Sequence, residues 1–203
     1  MMNHIKFLTA ICLIFTTLKV GAVETAEQVL GKCAEKIAQA PSIKIDFTLN
    51  TGDSGAPCSL IISKDKYRLS SPNMEVWYDG QTQWAYATDT KEVALTEPTE
   101  EELLESNPFA VLNNYKQSYN IRRLSGKQND IELVAKSKMS NIRKAVVTIS
   151  DKTWLPTKLI VTMSNGRTFA ATVTSINEKQ SVPASTFVYN AERYPAKIVN
   201  DLR

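Results

Sequence analysis

The 203-residue chain has one histidine, His4, and only three cysteines. Its charge is nearly balanced, with 24 Lys and Arg against 21 Asp and Glu and a formal net charge of +3. Each shortage excludes a class of chemistry. His4 falls in a segment that reads as cleaved. The remaining chain then has no Ser-His-Asp or Cys-His dyad, no histidine metal site and no side chain whose ordinary titration lies near neutrality. A balanced charge offers no concentrated basic surface of the kind a phosphate backbone needs, so no nucleic-acid partner is expected. No G-x-S-x-G, P-loop or dinucleotide fingerprint occurs. Gly52-Asp53-Ser54-Gly55 has the look of a protease nucleophile segment, but no histidine is left to take the serine proton, and it reads as a polar hairpin loop. No metal and no cofactor are expected. Carboxylates are plentiful, which leaves a carboxylate-only enzyme as a remote reading; the expectation is a protein that is not an enzyme.

The chain opens with an address. Met1 to Lys6 is short and positively charged, Phe7 to Leu18 is an apolar run, and Val20-Gly21-Ala22 supplies small residues for a signal peptidase. The run is shorter than the ~20 residues of a membrane-spanning helix. Residues 1–22 are therefore expected to be a cleaved secretory signal and residues 23–203 a single exported domain. Cys33 and Cys58 remain in an oxidising compartment. They are not a CxxC pair. They read as a disulfide, which would stabilise the fold by roughly 3.5 kcal/mol on the chain-entropy model, or as two buried thiols.

Thr25 with Gln28 forms a capping box and Pro41 a stop, and Ala26, Val29, Leu30, Cys33 and Ile37 recur at helical spacing between them. The pattern predicts a helix over 26–39. From Ser42 the period changes to two: Ile43, Ile45, Phe47 and Leu49 alternate with polar residues. Similar sets follow at Cys58-Leu60-Ile62, Tyr67-Leu69, Met74-Val76-Tyr78, Trp84-Tyr86, Val93-Leu95 and, after a break, from Tyr119 to Val173. Asp79-Gly80 and Asn165-Gly166 are hairpin turns, with softer turns at Ser125-Gly126 and Asp151-Lys152. Short turns require antiparallel neighbours. In the break, Thr99 with Glu102 makes a second capping box and Asn107-Pro108 a cap with a first-turn proline, predicting short helices over 100–105 and 108–113. The fold class is mainly β with some α. A single curved antiparallel sheet of about ten to eleven strands forms an unclosed half-barrel, with its concave apolar face covered by helices. The aromatic set Trp77, Trp84, Tyr86, Phe109 and Phe187 reads either as core packing or as the lining of an apolar pocket between sheet and helices.

Three segments carry a resemblance. Tyr78-Asp79-Gly80-Gln81-Thr82-Gln83-Trp84-Ala85-Tyr86 resembles the S-D-G-K-x-L-W-x-Y hairpin of the periplasmic outer-membrane lipoprotein carriers, the LolA family. Asn107-Pro108-Phe109-Ala110-Val111-Leu112 is similar to the T-P-F-x-L-L helix that follows it there. Val182 to Phe187 is similar to that family's closing D-A-x-x-F segment, before a last strand near 197–199. The three stand in register over most of the exported chain.

The resemblance implies a half-barrel with a helical lid over a hydrophobic cavity that shields lipoprotein acyl chains in transit from inner to outer membrane. Its lining is expected from Ile45, Phe47, Leu60, Ile62, Tyr67, Leu69, Val76, Trp84, Tyr86, Phe109 and Leu112. The implied partners are acylated lipoproteins as cargo, an inner-membrane ABC-type exporter, and an outer-membrane acceptor or the membrane itself. The expected setting is the periplasm of a Gram-negative bacterium, with the protein a monomer. A lipid- or lipoprotein-sensing module on the same fold is the alternative. One departure stands out: the family's R-P-x-x-F arginine, which ties the lid, has no counterpart in Lys64-Asp65-Lys66-Tyr67. Lys64 or Lys66 is the expected substitute, unless the lid is held differently.

Overall fold

The computed structural model describes residues 24–52, 54–125 and 129–203. The expected signal segment 1–22 lies outside them, as do Asp53 and the turn residue Gly126. Helix α1 (Ala26–Gln39) starts where its capping box places it. Thr25 Oγ1 accepts from the Gln28 N–H at 3.2 Å, and Gln28 Oε1 accepts from the Thr25 N–H at 2.8 Å. These bonds satisfy two of the amides a helix start otherwise leaves open. Its buried stripe is Val29, Leu30 and Cys33.

Six strands follow as a meander: β1 (Ile43–Asn50), β2 (Gly55–Ser63), β3 (Lys66–Ser70), β4 (Met74–Tyr78), β5 (Gln83–Ala87) and β6 (Glu92–Thr96). The chain then leaves the sheet through α2 (Glu100–Ser106), a 3₁₀ turn (Pro108–Leu112) and α3 (Tyr115–Ser118). It returns as a second meander, β7 (Tyr119–Arg123), β8 (Asn129–Ala135), β9 (Ile142–Ile149), β10 (Pro156–Met163) and β11 (Thr168–Asn177). A last 3₁₀ turn (Ala184–Phe187) leads to β12 (Ile198–Asp201). In space the strands run β12-β6-β5-β4-β3-β2-β1-β11-β10-β9-β8-β7, with β12 and β7 at the two ends of the order, so the sheet is not closed. Register shifts at Asp46/Phe47 on β1, and at Pro156/Lys158 and Thr162/Met163 on β10, mark places where bulges bend a sheet. The lid segment α2–3₁₀–α3 is thus the connection from β6, near one end, to β7 at the other.

Expectation and structure differ in several particulars. The sheet has twelve strands, and β12 pairs parallel to β6, so it is mixed. Hairpins force antiparallel pairing, but β12 arrives after a long excursion from β11 and is free to enter in the other sense. The short helix α3 was not signalled by the sequence. Asn107 makes no side-chain cap; its Oδ1 is buried with no hydrogen-bond partner among the described residues. Of the two readings of Cys33 and Cys58, the structure has the second: both are free and buried. Helix α1 packs mainly on β7, β8 and β9, and β9 stands four places from β2, the strand of Cys58, in the sheet order.

Candidate functional site: an apolar concave face under a latched lid

Paired residues of neighbouring strands point to the same face, so the registers sort the sheet into two surfaces. One row runs Ile45, Leu60, Leu69, Val76 and Ala85 across β1 to β5. The next runs Ile43, Ile62, Tyr67, Tyr78 and Gln83. Phe47 pairs with Cys58 on the same face. With α1 these form the main hydrophobic cluster, continued on the other half of the sheet by Ile131, Leu133, Ala145, Leu159 and Val161. Phe109, Val111 and Leu112 of the 3₁₀ turn are buried in that cluster, and the Phe109 ring meets Phe47 edge-on at 5.6 Å and 79°. Each such side chain gains about 1.5–3 kcal/mol from burial. The lid therefore closes by inserting its own apolar residues into the concave face of the sheet.

Of the residues expected to line a cavity, Ile45, Phe47, Leu60, Tyr67, Leu69, Val76, Phe109 and Leu112 meet in this cluster, and Ile62 packs half-buried against it. Trp84 and Tyr86 do not. Trp84 pairs with Trp77, and Tyr86 with Glu75, on the opposite face. There Trp77, Tyr86 and Val93 form a second cluster with Trp84, Leu95, Tyr189 and Tyr194. The segment after β11 straps across this outer face. Tyr194 and Tyr189 pack edge-on to Trp77 at 4.8 and 5.5 Å. Arg68 Nη2 donates to Tyr194 Oη at 2.6 Å and to Glu75 Oε2 at 3.0 Å. Phe187 is buried beside the same strap, in the 3₁₀ turn that packs on β3 and β4.

The lid is fastened by neutral groups. Tyr67 Oη donates to Gln83 Oε1 at 2.6 Å and stands 2.5 Å from Ser106 Oγ, at the end of α2. Ser106 Oγ also lies 2.9 Å from Gln83 Oε1. Burial is the main cause that pushes the Tyr67 hydroxyl up to about 12, against a lowering contribution from Ser106, so the latch is uncharged at neutral pH. Sequence reasoning missed Gln83 and Ser106. Among the described residues neither Lys64 nor Lys66 makes a hydrogen bond or ion pair to the lid. Lys64 is exposed, with φ 57, in the β2–β3 turn. Asp65 of that turn packs against Gly80, whose φ of 103 suits glycine; a Cβ there would come within 2.7 Å of Asp65 Oδ2.

A cleft of about 390 Å³ opens beside the lid. Tyr78, Leu103, Leu104, Val111 and Tyr119 form its apolar walls, and Asp65, Lys136, Ser137 and Ser140 are among the polar residues that line it. That volume is at the low end for a small-ligand cavity, so a larger apolar ligand requires the lid to move. Among the described residues, no group of three or more His, Cys, Asp or Glu side chains is placed to hold a metal, and no helix is long and apolar enough to cross a membrane.

A family model described as outer membrane lipoprotein carrier protein LolA matches residues 16–181. The chain belongs to the LolA family. No curated protein sequence matches it. An uncharacterized conserved protein from Thermus thermophilus superposes with a TM-score of 0.58 at 9% identity, over 86% of this chain and 98% of that one. It supports the fold and, at that identity, only the fold. A LolA superfamily protein from Nitrosomonas europaea gives 0.46 at 10% identity, over 82% and 99%. The MucA/MucB complex of Pseudomonas aeruginosa gives 0.47 at 16%, over 82% of this chain and 62% of that one. Membership in the LolA family supports a carrier-type module for lipid or lipoprotein. Within it, this chain closes its lid with Tyr67, Gln83 and Ser106.

Proposed function

We propose that the chain is a periplasmic, non-enzymatic carrier of acylated lipoproteins. It takes cargo from an inner-membrane ABC-type exporter, holds the acyl chains on the concave face, and passes them to an outer-membrane acceptor or to the membrane itself. The observation that carries this reading is the lid: three apolar residues, Phe109, Val111 and Leu112, plug an apolar sheet and are fastened beside Ser106 by a small cluster of neutral hydrogen bonds.

The magnitudes favour exchange. Hiding an acyl chain from water is worth about 0.8 kcal/mol per CH₂, or ~12 kcal/mol for a chain of roughly fifteen methylenes. The latch hydrogen bonds contribute ~0.5–1.5 kcal/mol each. The apolar contacts given up when Phe109 and Leu112 lift away are returned by the cargo, so the latch delays opening without forbidding it.

The test adds purified residues 23–203 to spheroplasts carrying a labelled lipoprotein and examines the soluble fraction. A one-to-one complex that disappears when the lipoprotein is not acylated is the expected result. A folded protein that binds an acyl probe yet releases no lipoprotein would assign the site to lipid sensing. One that binds neither would make the concave face plain core.

A further inference from the structure

The hairpin joining β8 to β9 combines two features that a soluble surface rarely brings together. Met139 at its tip is 86% exposed, more than any other large apolar side chain described. Around it stand Lys136, Lys138 and Arg143, all exposed or half-exposed, with Lys116 of α3 alongside. Two contacts fix the arrangement: Arg143 Nη1 donates to Lys138 O at 2.6 Å, and Lys136 Nζ donates to Lys116 O at 2.7 Å. Among the described residues none of these four cations has a carboxylate within 4.0 Å, whereas Lys144 on the same strand is 3.7 Å from Glu132. The hairpin also borders the lid cleft, which Lys136, Ser137 and Ser140 help to line.

From this juxtaposition we propose that the β8–β9 hairpin docks the mouth of the lid cleft onto an anionic phospholipid bilayer. The chemistry is that of interfacial binding: uncompensated ammonium and guanidinium groups attract an anionic surface, and one protruding thioether partitions into the headgroup boundary. A bilayer suits this surface better than a protein partner does. The tip presents a single exposed apolar side chain among cations, without the cluster of buried aromatic or aliphatic anchors that a protein interface uses. Arg143 and Lys136 already brace the hairpin, so docking orders little that is not ordered beforehand. The inference goes beyond the carrier reading and does not depend on it, because vesicles without any lipoprotein test it.

The experiment is co-sedimentation of the full exported chain with phosphatidylcholine vesicles, with and without phosphatidylglycerol, across a salt series. The expected result is binding to the anionic vesicles that falls with salt. Each neutralised cation should lower partition about five-fold. Among the described residues the Lys138 ammonium makes no hydrogen bond or ion pair, and the Lys116 ammonium has only the face of the Tyr115 ring, 5.8 Å away. A Lys116→Gln/Lys138→Gln variant should therefore lose about 25-fold in partition at an unchanged melting temperature. Met139→Ser should lower the binding that persists at high salt. The control is Lys152→Gln/Lys179→Gln, which removes the same charge from the β9–β10 turn and the end of β11 and should leave partition as it was. Equal loss in the control would reduce the effect to net charge and overturn the proposal. So would binding that is absent, indifferent to phosphatidylglycerol, or unaffected by the Lys116/Lys138 variant; membranes that capture the chain only when they carry their proteins would assign the hairpin to a protein partner instead.

Discussion

Tyr67 Oη stands 2.5 Å from Ser106 Oγ, so a tyrosine of the third strand and the last residue of the lid helix meet beneath the lid, with Gln83 as their shared acceptor. Removing the hydroxyl tests whether this contact sets the lid. Tyr67→Phe keeps the ring against Tyr78, at 5.4 Å, and keeps the Ser106–Gln83 bond. The expected cost is only about 1 kcal/mol in a urea melt, with acyl-probe association measurably faster. Unchanged association would mean that the lid is limited by its apolar contacts alone.

The same hydroxyl gives a pH dependence. Its folded pKa is raised to about 12, mainly by burial, above the ordinary value near 10. The neutral form is the one the fold favours, so its contribution is complete below pH ~10 and is lost as pH rises from about 10 to about 12. Stability measured across that window should fall more steeply in the wild type than in Tyr67→Phe. Parallel curves would place the titration elsewhere, for example at Tyr78, also raised first by burial.

The two faces of the sheet should answer differently to mutation. Leu60 is fully buried beneath the lid, while Trp84 lies on the strap side. Leu60→Asn loses apolar burial and leaves a polar group unpaired at ~1–3 kcal/mol, and it should weaken acyl-probe binding. Trp84→Gln should lower the melting temperature and leave probe affinity unchanged. Equal losses of affinity in the two variants would contradict the assignment of faces.

The strap has its own signature. Arg68 holds Tyr194 by a hydrogen bond to its hydroxyl, and Tyr194 helps to bury Trp77, which is only 2% exposed. Tyr194→Ala should red-shift the emission of Trp77, read in a background with Trp84 and Trp154 replaced by Phe, and open the last segment to proteolysis. Its acyl affinity should stay at the wild-type level, because Tyr194 packs on Trp77 and Tyr86 of the opposite face. A blue or unshifted spectrum would argue against the packing of Tyr194 on Trp77.

The cysteines offer a simple check. Burial pushes the Cys33 thiol up to about 12 and raises Cys58 as well, so little reactive thiolate forms near neutrality. Native protein of residues 23–203 should resist iodoacetamide at pH 8, and the same protein denatured should take up two labels, at Cys33 and Cys58, without prior reduction. Uptake that requires a reductant would show a bridge.

Much of the fold was legible because it is written locally. Helix α1 begins and ends where Thr25, Gln28 and Pro41 place it, and Thr99 with Glu102 starts α2, since a capping box is a contact between residues three apart. Period-two patterning located the hairpin strands for the same reason. What it could not settle is which face of β4 and β5 looks inward. Trp84 and Tyr86 form the more apolar set on β5, yet the inward set is Gln83, Ala85 and Ala87. The aromatic set is instead covered by tyrosines more than a hundred residues later in the chain. A signal was there: Val76-Trp77-Tyr78 is an unbroken apolar run, the mark of a strand buried on both faces. The latch left no such trace, because Gln83 and Ser106 become partners only when the lid crosses the sheet.

Whether acyl chains occupy the concave face beneath the lid can be read from the residues that a bound chain labels. The most direct test is photo-crosslinking of a diazirine-bearing acyl probe to the purified chain, with the labelled residues mapped by mass spectrometry. Labels are expected at Leu60, Leu69, Val76 and Phe109, competed away by an acylated lipoprotein. Labels confined to Trp84, Tyr86 and the strap, or saturable binding that leaves the concave residues unlabelled, would contradict that expectation.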